Sequence, residues 1–155
     1  MITQTIDISG LYGGTVSLTS EELDELASRF MGPMLRAGDE GWDGAILIWN
    51  AMAAKVPSLV LQPTSVQDIA VAVGFARDHR VLISVKGGGY NIAGTSIAEN
   101  GLTLDMSHMR SVAVEPGDKL ATSGQGVYSR TLTGPRNNTV WRPCLVSFPK
   151  PESLG

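Results

Sequence analysis

The feature that most constrains this chain is a junction. Val81-Leu82-Ile83-Ser84-Val85 is rich in β-branched residues, the composition of a buried strand. It runs without a break into Lys86-Gly87-Gly88-Gly89-Tyr90-Asn91. Three successive residues without Cβ let a backbone turn sharply, adopt positive φ and come close to a ligand. Successive amide N–H groups in such a loop form an anion-binding concavity, and Lys86 is expected to add positive charge at its entrance. A phosphate or pyrophosphate is therefore a chemically sensible guest. Glycine runs also close plain tight turns, so spacing by itself leaves both readings open.

Other glycine signatures do not fit. GxGxxG fails because Ile92 stands where the last Gly belongs, and neither GxxxxGK[ST] nor the GxSxG nucleophile elbow occurs. The only histidines, His79 and His108, lie 29 residues apart without carboxylate-rich surroundings, so no metal site is expected. His79, just past a helix, reads as a partner for the helix C-terminal dipole. Asp39, Glu40 and Asp43 read as a solvated turn. Cys144 is the single cysteine, which excludes an intramolecular disulfide and a cysteine-cluster metal site. No residue stands out as a catalytic base.

The rest of the chain supplies the frame. Residues 1–18 show no sustained period and read as a loose leader. Thr19 with Glu22 forms a capping box, and Leu23, Leu26, Ala27, Phe30, Met31 and Met34 follow at helical spacing. Gly32-Pro33 should stop or kink that helix. After a turn at Gly38-Asp39-Glu40-Gly41, Trp42–Met52 reads as a short helix with Ile46 and Trp49 inward. Leu59–Leu61 reads as a strand ending at Pro63. Thr64 with Gln67 makes a second capping box, opening a helix whose apolar positions are Val66, Ile69, Ala70, Val73 and Ala76. Leu102–Leu104 and Val112–Val114 are further strands, the latter followed by a turn at Pro116-Gly117-Asp118. From Val127 onward no period persists, and Pro135, Pro143, Pro149 and Pro151 would interrupt any regular element. The expected fold is α+β with α/β-like character: helices on a small mixed sheet, then an irregular tail.

Composition excludes several classes. A length of 155 residues makes one domain the default. With 43 % hydrophobic and only 17 % charged residues, the chain is built to fold. A net charge of −3 with 12 Lys and Arg offers no footprint for nucleic acid. No apolar run approaches the ~18 residues of a membrane helix. The start, Met1-Ile2-Thr3-Gln4-Thr5-Ile6-Asp7, lacks the pattern of a secretory signal. A cytoplasmic protein is expected, and Asn137-Asn138-Thr139 is then not a glycosylation site.

Several blocks agree in order with one known family. They run from Gly38-Asp39-Glu40-Gly41-Trp42-Asp43 and Trp49-Asn50, through Pro57, Leu61 and Pro63, to Gly74-Phe75-Ala76-Arg77. The sharpest is Val85-Lys86-Gly87-Gly88-Gly89-Tyr90-Asn91-Ile92-Ala93-Gly94. Gly101-Leu102, Leu104-Asp105-Met106-Ser107 and Met109-Arg110-Ser111-Val112 continue it. The sequence resembles the FAD-binding domain of the p-cresol methylhydroxylase and vanillyl-alcohol oxidase superfamily, especially its berberine-bridge-like FAD-linked oxidases. The resemblance covers about residues 36–126. It divides the chain into a leader and helix (1–35), a partial FAD-binding domain (36–126) and a tail that does not match (127–155).

The resemblance implies that Lys86, Gly87, Gly88, Gly89, Tyr90, Asn91 and Gly94 bind FAD, with the backbone amides from Gly87 to Asn91 on the pyrophosphate. It also implies oxidation of a small-molecule substrate by hydride transfer to the flavin. Two departures qualify it. Many relatives carry, directly after the glycines, a His that links covalently to the flavin. Tyr90 stands there, so FAD is expected to bind non-covalently. The family also pairs this domain with a substrate domain. Here a second Gly-rich flavin-binding stretch does not follow Gly124-Gln125-Gly126, and Trp141-Arg142-Pro143-Cys144 does not match the second flavin-linking motif. A truncated oxidoreductase fragment is therefore expected. The alternatives are an inactive truncated product and a non-enzymatic module that binds some other phosphate compound.

Overall fold

Residues 5–115 and 120–127 are described by the computed structural model of this chain. The first segment departs from expectation. Residues 6–18 form an antiparallel hairpin of β1 (Ile6–Ser9) and β2 (Thr15–Leu18), in which Ile6 pairs with Leu18 and Ser9 with Thr15. Gly13 and Gly14, with φ of 91° and 77°, supply the left-handed turn. Ile8 and Leu18 are fully buried, with Ile6 and Val16 packed beside them. Strands of four residues are too short to display a sustained period, although the alternation is present.

Helix α1 (Ser20–Arg29) starts as the sequence predicts. The Glu22 amide donates to Thr19 Oγ1 (3.3 Å) and the Thr19 amide to Glu22 Oε2 (2.7 Å). It ends at Phe30, whose backbone is extended, so Met34 belongs to β3 (Met34–Leu35) and not to the helix. The helix expected over Trp42–Met52 is broken. Helix α2 spans only Trp42–Ile46, Leu47 is extended, and a 3₁₀ turn follows at Ala51–Ala53. Trp42 and Ala45 pack on Val60, with Ile46 partly buried beside them. Trp49 is 54 % exposed, contrary to its expected inward placement. Its amide donates to Gly89 O (2.9 Å), so the segment bonds to the glycine loop instead of to itself.

Strand β4 (Leu59–Leu61) leads to α3 (Val66–Asp78). The capping box of α3 is displaced by one residue: Ser65 is the N-cap and Asp68 its reciprocal partner. Asp68 is buried together with Ala72 and Ala76, with Ile69 packed beside them, while Val66, Ala70 and Val73, expected to face inward, are exposed. Strands β5 (Ile83–Lys86) and β6 (Leu102–Asp105) complete a four-stranded sheet in the order β3-β4-β6-β5. Strands β4, β6 and β5 run parallel and β3 antiparallel. Central β6 is buried at all four positions. β5 lies at the edge, which corrects the buried strand expected at 81–85: Val81 is buried, but Val85 is half-exposed.

Helices α1 and α3 pack together, and α3 lies on β6. A 3₁₀ turn at Met106–His108 precedes a second antiparallel hairpin, β7 (Val112–Glu115) and β8 (Leu120–Ser123). The α+β reading, with helices on a small mixed sheet, stands. The Pro116-Gly117-Asp118 turn, Cys144 and the tail from 128 on lie outside the described residues.

Candidate functional site

Three parallel strands end side by side. Leu61 is level with Leu104, and Leu104 with Val85, so Gln62, Asp105 and Lys86 form the next row. Beyond that row, β5 opens into Gly87–Gly89 and β6 into the Met106–His108 turn. The stretch after β8 folds back onto them: Gly124 and Gly126 donate to the carbonyls of Ser111 (2.8 Å) and Met109 (2.9 Å). A Cβ on Gly87 would lie 3.4 Å from Gln125 Oε1. Segments distant in sequence thus meet at the C-terminal ends of the strands, where open α/β sheets bind ligands.

The glycine loop is tied down along one side. Gly89 O accepts from the Trp49 amide, and Asn50 Nδ2 donates to Ile92 O (2.7 Å). Asn91 braces the loop's exit, its carbonyl accepting from Gly94 N (3.2 Å) and its Oδ1 from Thr95 N (3.3 Å). Buried Gly89 has φ +74°, and a Cβ there would sit 3.2 Å from Leu47 O. Gly94 has φ +67°, and its Cβ would fall 2.5 Å from Ala53 O. Both positions require glycine.

The other side is open. Gly88, Tyr90 and Asn91 are exposed. Among the described residues, the amides of Gly88, Gly89, Tyr90 and Asn91 donate to no protein acceptor. Four consecutive donors on a braced loop make a suitable cradle for an oxyanion group. The donor chemistry and the two enforced glycines fit a pyrophosphate.

Lys86 is placed differently from expectation. Its side chain is 7 % exposed, and its Nζ lies 3.3 Å from Asp105 Oδ1, whose side chain is 2 % exposed. The charge expected at the loop's entrance is neutralised beneath the loop. Asp105 also accepts from Gln62 Nε2 (2.9 Å), Ser107 Oγ (2.9 Å) and Ser107 N (3.3 Å). Ser107 lies two residues from Asp105, but the sequence carries no local signal for the Lys86 and Gln62 bonds, which join residues far apart in the chain. Nor does it mark Ser96, two residues beyond Gly94, which is buried and whose hydroxyl has no partner among the described residues.

The remaining candidates fall elsewhere. His79 caps α3, with Nδ1 3.4 Å from Glu22 Oε1 and its ring 4.2 Å from that of Phe75. Glu22's carboxyl is held below its ordinary range, chiefly by the Thr19 amide and further by the Thr19 hydroxyl and His79, against the effect of burial. Asp39 Oδ2 accepts from Arg36 N (2.7 Å) within a turn. No group of three metal-ligating side chains occurs among the described residues. A groove of about 470 Å³ between α1 and α3, lined by Glu25, Arg29, Phe75 and His79 among others, shares no residue with the loop.

A family model described as "FAD binding domain" matches residues 57–134, a span that contains β4, β5, β6 and the whole glycine loop. The chain belongs to this FAD-binding family. The FAD-linked oxidoreductase hasG of Aspergillus fumigatus is 33 % identical over 103 residues, covering 63 % of this chain and 22 % of that protein. The (R)-6-hydroxynicotine oxidase of Paenarthrobacter nicotinovorans is 33 % identical over 101 residues, covering 65 % and 22 %. The crystal structure of 6-hydroxy-D-nicotine oxidase from Arthrobacter nicotinovorans superimposes with a TM-score of 0.63 at 32 % identity, covering 66 % of this chain and 23 % of that one. A berberine-bridge-enzyme-like protein of Physcomitrella patens gives 0.58 at 25 % identity, covering 64 % and 22 %. This FAD-binding chain therefore has the p-cresol methylhydroxylase-type, berberine-bridge-like character that its motifs imply. It spans about a fifth of the length of the relatives it matches.

Proposed function

We propose that this chain holds FAD by its pyrophosphate on the amides of Gly88, Gly89, Tyr90 and Asn91, in the service of flavin-dependent oxidation of a small molecule. The observation that carries the reading is the row of four amides without acceptors among the described residues, on a loop braced from its other side. Gly87 and Gly94 give the loop its approach and its exit, and Lys86 acts from beneath. FAD supplies the hydride acceptor when bound. The protein's part is to bind and orient it.

Tyr90 occupies the position at which many relatives carry the flavin-linking histidine. Its phenol cannot form the histidyl link, so the cofactor is held non-covalently. Tyr90 is 58 % exposed, within reach of a ligand lying on the loop's open side. The test is to incubate the purified chain with FAD, desalt, and record the flavin absorbance that stays with the protein. Acid precipitation of the retained complex should then leave all flavin in the supernatant. Flavin lost on desalting contradicts binding, and flavin in the pellet contradicts the non-covalent mode.

A further inference from the structure

Beneath the loop lies a buried polar row that, among the described residues, makes no hydrogen bond to the loop's amides. Lys86 and Asp105 are the last residues of adjacent parallel strands and are directly paired in register. Neighbouring positions in a parallel ladder point to the same face, which is why Nζ and Oδ1 meet. Gln62 arrives from the end of β4 on the other side of β6. All three parallel strands thus contribute one polar side chain to a single carboxylate cluster. Asp105 accepts four hydrogen bonds, from Lys86, from Gln62 and two from Ser107, so both oxygens are satisfied. Removing one partner of such a buried pair leaves the other uncompensated.

The lysine connects this row to the loop. Its Cε lies 3.5 Å from where a Cβ of Gly89 would be, so the lysine stem runs beside the Cβ-less face of Gly89, whose carbonyl is held by Trp49. The loop is bonded on one side by Trp49 and Asn50 and flanked at Gly89 by the Lys86 stem. The position of that stem is fixed by Asp105.

We infer that Asp105 is a positioning residue for cofactor binding: through Lys86 it sets the floor on which the pyrophosphate loop rests, without touching the ligand. The inference rests on the FAD reading above. It makes a prediction opposite in sign to simple electrostatics. Asp105→Asn removes a negative charge and frees the Lys86 ammonium. If Lys86 served chiefly as an attractive charge, an anionic ligand would bind more tightly. If Asp105 positions the loop, binding weakens by about tenfold or more, the scale of losing a buried charged hydrogen bond.

The experiment titrates FAD into the full chain, wild-type and Asp105→Asn, by flavin fluorescence, with a urea midpoint measured for each. The expected result is weaker binding by the folded variant. Wild-type binding with equal or tighter binding by Asp105→Asn overturns this inference alone. A wild-type chain that does not bind FAD overturns the FAD reading and this inference with it. Should Asp105→Asn fail to fold, Ser107→Ala decides, since it removes one donor to Asp105 at a partly exposed position. Roughly threefold weaker binding at an unchanged urea midpoint is then the expected result, and unchanged affinity overturns the inference.

Discussion

At the scale of single residues, two positions have consequences that can be measured. Asp68 is buried, which by itself raises a carboxyl's pKa. The amides of Met31 and Thr64 and the hydroxyls of Thr64 and Ser65 outweigh that effect and hold it down at about 2, against an ordinary 3.8. A carboxyl with a depressed folded pKa contributes stability that is complete above its unfolded pKa and is lost as pH falls through the folded one. Urea midpoints of the wild-type chain should therefore fall between about pH 4 and pH 2. Asp68→Asn should be less stable at pH 7 and show a flatter fall across that window. A parallel fall in both proteins would contradict the assignment. Gly94 is the second position. At φ +67°, with Ala53 O 2.5 Å from its Cβ site, Gly94→Ala should cost about 1–3 kcal/mol in urea unfolding. An unchanged midpoint would show that the loop's exit is not held against Ala53.

At the scale of elements, legibility in the sequence follows locality. The Thr19–Glu22 box is readable because donor and acceptor lie within one helical turn. The second box reads one residue early, because Thr64 also has a hydroxyl, and Thr64 Oγ1 does bond Asp68 (2.8 Å). Along α3, Asp68, Ala72 and Ala76 are buried and Val73 is exposed. Ser65→Ala should cost about 1 kcal/mol, and Thr64→Ala less. Equal costs would contradict the N-cap assignment. Trp49 departs from its expected place because its backbone partner, Gly89, lies far along the chain. The same limit hides the Lys86–Asp105 pair, which exists only once β5 and β6 are in register. The β1–β2 hairpin escapes the pattern for another reason: its alternation is confined to four residues per strand. Its Ile8 is fully buried, so Ile8→Ala should lower stability by about 2–5 kcal/mol. A negligible loss would return residues 6–18 to the status of a leader.

At the scale of the whole molecule, three parallel strands ending in one row place the glycine loop where open α/β sheets bind ligands. The row is polar and buried, the loop stands on it, and the Leu47–Ala53 segment holds the loop's flank. Composition alone locates this loop in the sequence, and the family blocks around it point to FAD. The bracing of the loop by Trp49 and Asn50, which the proposed cradle needs, is a property of the assembled chain. The most direct test of the central claim is FAD retention by Gly88→Asp beside the wild-type chain. Gly88 is the exposed glycine of the run, and an Asp there adds bulk and negative charge where the pyrophosphate is proposed to lie. Retention by the wild type, with loss of FAD from a variant of unchanged urea midpoint, is the predicted result. Equal retention by both proteins would contradict it.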